Sequence, residues 1–160
     1  MTYQAGNLPG LVLVEHDGGF TLSFQQRLLL QHSAQTPCLW IGRGKADIDM
    51  FRGNFSIKDC LSEKLALTDA VITPQQQGWE IQFSRGEVAQ ATLDITYDAA
   101  GRLEMALRNG DKENNRMWLR LAAQQEDHIY GCGEQFSYFD LRGKPFPLWT
   151  SEQGVGRNKQ

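Results

Sequence analysis

The sequence predicts an all-β chain built as an antiparallel β-sandwich, and three observations carry that reading. Apolar and polar residues alternate at period two through most of the chain, as strands do when one face is buried and the other is wet. The alternating runs return at roughly 10–14-residue intervals. Gly, Asn and Asp clusters separate them, which fits hairpins and meanders better than the strand–helix alternation of a doubly wound sheet.

The first element is an early hairpin. Phe20, Leu22 and Phe24 alternate with Thr21 and Ser23 directly after Asp17-Gly18-Gly19, and the more thoroughly apolar run Arg27 to His32 follows. Gly42-Arg43-Gly44-Lys45 has too few glycines, and no following strand-to-helix pattern, for a phosphate loop, so a turn is predicted there. Lys58 to Ala70 supports two assignments: it is rich in helix formers with Leu61 and Leu65 four apart, yet Leu65 and Leu67 also fit a strand. Trp79, Ile81 and Phe83 then alternate with Glu80, Gln82 and Ser84. Leu93, Ile95 and Tyr97 do the same, and after Asp98-Ala99-Ala100-Gly101 so do Leu103, Met105 and Leu107, until Asn109-Gly110-Asp111 stops the run. A meander is expected. The last clear alternation sets Met117, Leu119 and Leu121 against Trp118, Arg120 and Ala122.

With 160 residues, 41% hydrophobic and 22% charged, the chain fits one ordinary folded domain, without an internal repeat or low-complexity tract. Net charge is −3, and it is evenly spread: six Lys/Arg against eight Asp/Glu in residues 1–80, ten against eleven in 81–160. A duplex nucleic-acid binder and a membrane-surface protein both need a basic face that this chain does not have. Apolar runs such as Leu11 to Val14 and Leu28 to Leu30 fall far short of the ~20 residues that cross a bilayer. Met1 to Gly10 has no basic segment leading into an apolar one, so a cytoplasmic protein is expected. Cys38, Cys60 and Cys132 are odd in number and widely spaced, which predicts free thiols rather than a disulfide framework or zinc ribbon. Trp149 to Gln160 is rich in turn residues and holds no closing strand, so the sandwich reads as truncated.

The densest cluster of chemically able residues runs from Glu126 to Pro145. Gly131 and Gly133 flank Cys132 and permit backbone conformations that other residues disfavour. Phe136, Tyr138, Phe139, Phe146 and Trp149 are set among Glu134, Gln135, Asp140 and Arg142. That mixture can stack on and hydrogen-bond a polyhydroxylated ligand, or simply close a core edge. A metal set drawn from Asp127, His128, Cys132 and Glu134 matches no zinc spacing. Cys132 with His128 as base would need a helical i,i+4 approach that a Gly-flanked segment does not give. Glu134 with Asp140 or Glu152 could imitate a glycosidase carboxylate pair, but 19 acidic residues make accidental pairs common.

Tyr130-Gly131-Cys132-Gly133-Glu134, continuing through Asp140, Leu141 and Arg142-Gly143-Lys144, resembles the Tyr-Gly-x-Gly-Glu segment in the N-terminal domain of glycoside hydrolase family 31. Pro37 to Gly42, Ala46 to Asp59 and His128 to Gln160 look like the bacterial sulfoquinovosidases of that family, and the similarity extends from about Phe20 to the end. The resemblance implies a galactose-mutarotase-like sandwich in front of a (β/α)8 barrel, and a retaining α-glycosidase that releases sulfoquinovose from its α-glycosides. It places the aspartate nucleophile and acid/base on the barrel, downstream of Gln160, since 160 residues cannot also hold a fold of typically ~250. It makes Glu134, Gln135 and Tyr138 the candidates for contact with the substrate pocket or its wall, with carbohydrate as the partner and no cofactor or metal. An α-glucosidase of the same family and a non-catalytic carbohydrate-binding or structural sandwich are the alternatives. Alone, this chain is expected to be inactive.

Overall fold

The computed structural model describes residues 1–5, 8–51, 54–87, 89–98, 100–131 and 138–145. Among these, all regular structure is β-strand, in three sheets. The chain divides into two compact units, Met1–Lys45 with Leu61–Ala122 and Ala46–Cys60 with Ala123–Gln160.

In the first unit, β1 (Thr2–Gln4), β2 (Leu11–His16), β3 (Gly19–Phe24) and β4 (Arg27–Ser33) form a sheet in that order. The expected hairpin is β3–β4. Its two-residue turn sets both Gln25 (φ 47°) and Gln26 (φ 67°) in the left-handed region, the geometry that matches strand twist although neither is glycine. β5 (Leu39–Phe51) and β6 (Asn54–Ala66) share a sheet with β11 (Arg116–Leu119), in the order β11-β5-β6. β8 (Gly78–Arg85), β9 (Ala89–Tyr97) and β10 (Leu103–Asn109) are the expected meander, and β7 (Asp69–Gln75) adds a fourth strand beside β8, antiparallel throughout.

The core follows from the alternation. Leu11 and Leu13 of β2, Phe20 and Leu22 of β3, Ile81 and Phe83 of β8, and Leu93 and Ile95 of β9 are all buried. Phe20 meets Phe83 with ring centroids 6.0 Å apart, so the first sheet packs on the meander as the two layers of a sandwich. Leu121 lies past the end of β11 and is exposed.

Two sequence expectations are settled here. Lys58 to Ala70 is strand on either side of a Leu67–Thr68 link, not helix: β6 runs to Ala66 and β7 starts at Asp69, Leu67 is fully buried with its amide bonding the Leu39 carbonyl at 3.0 Å, and Leu61, which a helix would bury beside Leu65, is 46% exposed. Sheet pairing overrides local helix propensity. The turn expected at Gly42-Arg43-Gly44-Lys45 is instead the middle of β5. Gly42 is there because β6 runs close: a Cβ would sit 2.3 Å from the Glu63 carbonyl oxygen.

Candidate functional site

The second unit carries the segment that the sequence singles out. Glu134 and Gln135 lie outside the described residues, as do Cys132, Phe146, Trp149 and Glu152, so the site is built from what flanks them. Gly131 adopts φ +121°, a conformation that glycine accepts at no steric cost.

Asp127 opens the segment with a turn: its carboxylate accepts the Gln124 amide at 2.7 Å, and its own amide donates to the Gln124 carbonyl at 3.2 Å. The Arg142 guanidinium locks this turn from the far side, donating to the Asp127 carbonyl at 2.9 Å and to that of Gln124. Asp140 fastens the two stretches together. Its Oδ1 accepts the amides of Ile129 (3.1 Å) and Arg142 (3.0 Å), and its Oδ2 takes His128 Nδ1 at 2.7 Å. Leu141, buried, donates its amide to the Ile129 carbonyl at 2.8 Å. The His128 bond first, and the two backbone amides after it, hold the Asp140 carboxyl down at about 2.

An aromatic row follows. His128 stacks on Tyr130 at 6.0 Å, and Tyr130 meets Phe139 at 5.1 Å. Phe139 is 88% exposed. Tyr138, the one described member of the three substrate-contact candidates, is exposed and has the Lys144 ammonium 4.8 Å from its ring centre. The row can offer an apolar face and polar edges to a hydroxylated ligand.

The other chemistries drawn from the sequence fare differently. His128 is paired with Asp140 rather than gathered with Asp127, and no metal-holding cluster occurs among the described residues. Asp140 has the wrong poise for a general acid, which needs its pKa raised rather than lowered. Cys38 and Cys60 are free thiols.

One feature of the first unit escapes motif reading. Trp40 of β5 and Trp118 of β11 are register partners, on the face opposite the buried Leu39 and Ile41, and the Lys64 ammonium sits 4.5 Å from the Trp118 ring and 5.5 Å from that of Trp40. The signal was the placing of Trp118 in the opposite phase from Met117 and Leu119.

Residues 48–160 match the family described as the glycosyl hydrolase 31 N-terminal galactose mutarotase-like domain. A sulfoquinovosidase from Escherichia coli is 69% identical over 146 residues, covering 91% of this chain and 22% of its own length. Another from Agrobacterium fabrum is 42% identical over 141 residues, 88% of this chain and 20% of its own. The solved structure of a GH31 family sulfoquinovosidase from E. rectale, in complex with an aza-sugar inhibitor, aligns with a TM-score of 0.75 at 36% identity, over 91% of this chain and 21% of that one. The chain thus spans about a fifth of the length of the relatives it matches.

Proposed function

The chain belongs to the glycosyl hydrolase 31 N-terminal galactose mutarotase-like domain family, and from that membership we propose that it is the front sandwich of a retaining α-glycosidase that releases sulfoquinovose from α-sulfoquinovosides. One observation carries the substrate class: the 69% identity to the Escherichia coli sulfoquinovosidase runs over 91% of this chain. In this reading the bond-breaking carboxyl groups, ~5 Å apart in a retaining enzyme, belong to a barrel domain outside these 160 residues. The sandwich contributes architecture, and Glu134, Gln135 and Tyr138 contribute to the rim of the pocket. The working environment is the cytoplasm, and the partner is a carbohydrate held jointly with the barrel. The test is paired: an aryl sulfoquinovoside offered to this chain alone stays intact, and the same chain joined to a family barrel turns it over faster than the aryl glucoside. Turnover by the monomeric chain alone, or preference for the plain glucoside, overturns it.

The exposed row of Tyr130, Phe139 and Tyr138 favours a second reading, a sandwich that binds sugar by itself. Saturable micromolar binding of sulfoquinovosyl glycerol to this chain supports the second reading; its absence supports the first.

A further inference from the structure

We propose that His32 is an acid-sensitive joint: as a neutral ring protonated on Nε2 it ties three segments of the first unit together, and a proton added at Nδ1 dismantles the tie. The partners fix the tautomer. His32 Nε2 lies 3.2 Å from the Thr68 carbonyl oxygen, which can only accept, so Nε2 carries the hydrogen. Nδ1 lies 3.3 Å from the Cys38 amide nitrogen, which can only donate, so Nδ1 is bare; the Cys38 thiol, 3.5 Å away, is a second donor to it. The neutral ring therefore satisfies β4, the residue that leads into β5, and the link between β6 and β7 at once.

The ring has little access to water. It is 2% exposed, stacked on Phe20 of β3 at 5.6 Å and set edge-on to Phe83 of β8 at 5.0 Å. These two neighbours carry no charge. Burial lowers the His32 pKa and outweighs the Thr68 carbonyl and Asp69, at the start of β7, which favour the cation, while Arg120, beyond β11, adds to the lowering. The Cys38 thiol supplies no compensating anion, because burial pushes it up to about 12. A proton on Nδ1 sets an N–H against the Cys38 N–H, leaving a buried donor without an acceptor.

The linkage follows with a definite sign. The unfolded chain takes up a proton at its histidine below about pH 6.5 while the native ring does not, so stability is full above that pH and falls beneath it. Long-range proton–nitrogen correlation spectra at pH 8 should show His32 protonated on Nε2 and bare on Nδ1. On acidification its ring signals should still be in the neutral form as the pH passes below about 6.5. Urea unfolding between pH 7.5 and 5 should show, for the native chain relative to His32→Gln, an extra rise in the unfolding constant as the pH falls, with tenfold per pH unit as the one-proton ceiling. The opposite tautomer, a titration centred near 6.5, or equal pH slopes in both chains overturns the proposal. If His32→Gln does not fold, the two spectroscopic measurements on the unsubstituted chain decide it.

Discussion

Two histidines hold two joints of opposite character. His32, in the first unit, is enclosed by aromatic rings and bonds a backbone carbonyl and a backbone amide. His128, in the second, has a side chain 61% exposed and bonds a carboxylate that also gathers two amides. None of the partners of His32 takes up a proton in the acid range, so acid reaches that joint only through the imidazole. At the other joint the partner itself titrates, and acid enters through Asp140. The contrast extends to what surrounds them: the first unit rests on burial of alternating apolar side chains, while the stretch of the second around Asp140 is held by charge-assisted hydrogen bonds.

The strongest way to break the contrast is to remove a ring from the dry side. Phe83→Ala deletes the side chain that meets both Phe20 and His32, and should cost about 3–5 kcal/mol by the usual sum of lost transfer energy and cavity. Urea denaturation followed by far-UV circular dichroism measures it; a loss under about 1 kcal/mol would mean that these rings do not lie in the core. Next in size is Gly42→Ala. Its new methyl must find room against the Glu63 carbonyl oxygen at 2.3 Å and Trp118 Cζ3 at 3.1 Å, so β5 and β6 have to separate. The expected cost is about 1–3 kcal/mol, the range for overfilling a packed site. An unchanged midpoint would show that β6 does not run against Gly42.

The two sides were unequally legible in the sequence, for a physical reason. Strand alternation is a local property, so Trp79, Ile81 and Phe83, or Leu93, Ile95 and Tyr97, declare their buried face without help from the rest of the chain. Where local signals conflict with pairing they mislead. Leu61 and Leu65 suggest a helix face, and the glycines of β5 suggest a turn, because the carbonyl that crowds Gly42 comes from a strand about twenty residues away in sequence. The β3–β4 turn gave no glycine or asparagine to find, since Gln25 and Gln26 occupy the left-handed positions. Resemblance pointed to the segment around Tyr138, and Glu134 and Gln135 lie outside the described residues. The fastening by Asp140 obeys no period: it joins His128 and Ile129, twelve and eleven positions upstream, to Asp140 and Arg142, and only the folded chain shows which carboxylate His128 has taken.

The wet joint gives the smallest effect on global unfolding and the sharpest test of its kind. Asp140 is held at about 2, below the ordinary value near 3.9, so its contribution is complete above about pH 4 and drains away as pH falls toward 2. The His32 joint weakens two to three pH units earlier on acidification, counted from about pH 6.5. A carbon-detected titration of the Asp140 carboxyl should therefore give a midpoint near 2, and a midpoint near 3.9 would show that the three bonds to it do not form in solution. Asp140→Ala removes all three acceptor contacts, so the amides of Ile129 and Arg142 should exchange faster with solvent, while the denaturation midpoint shifts less than in Phe83→Ala. Asp140→Asn keeps one carbonyl oxygen and should fall between the native chain and the alanine variant in amide exchange, because the charge is lost but an acceptor remains. If both substitutions left these amides as protected as before, Asp140 would be a surface carboxylate and the second unit would owe its order to something other than this fastening.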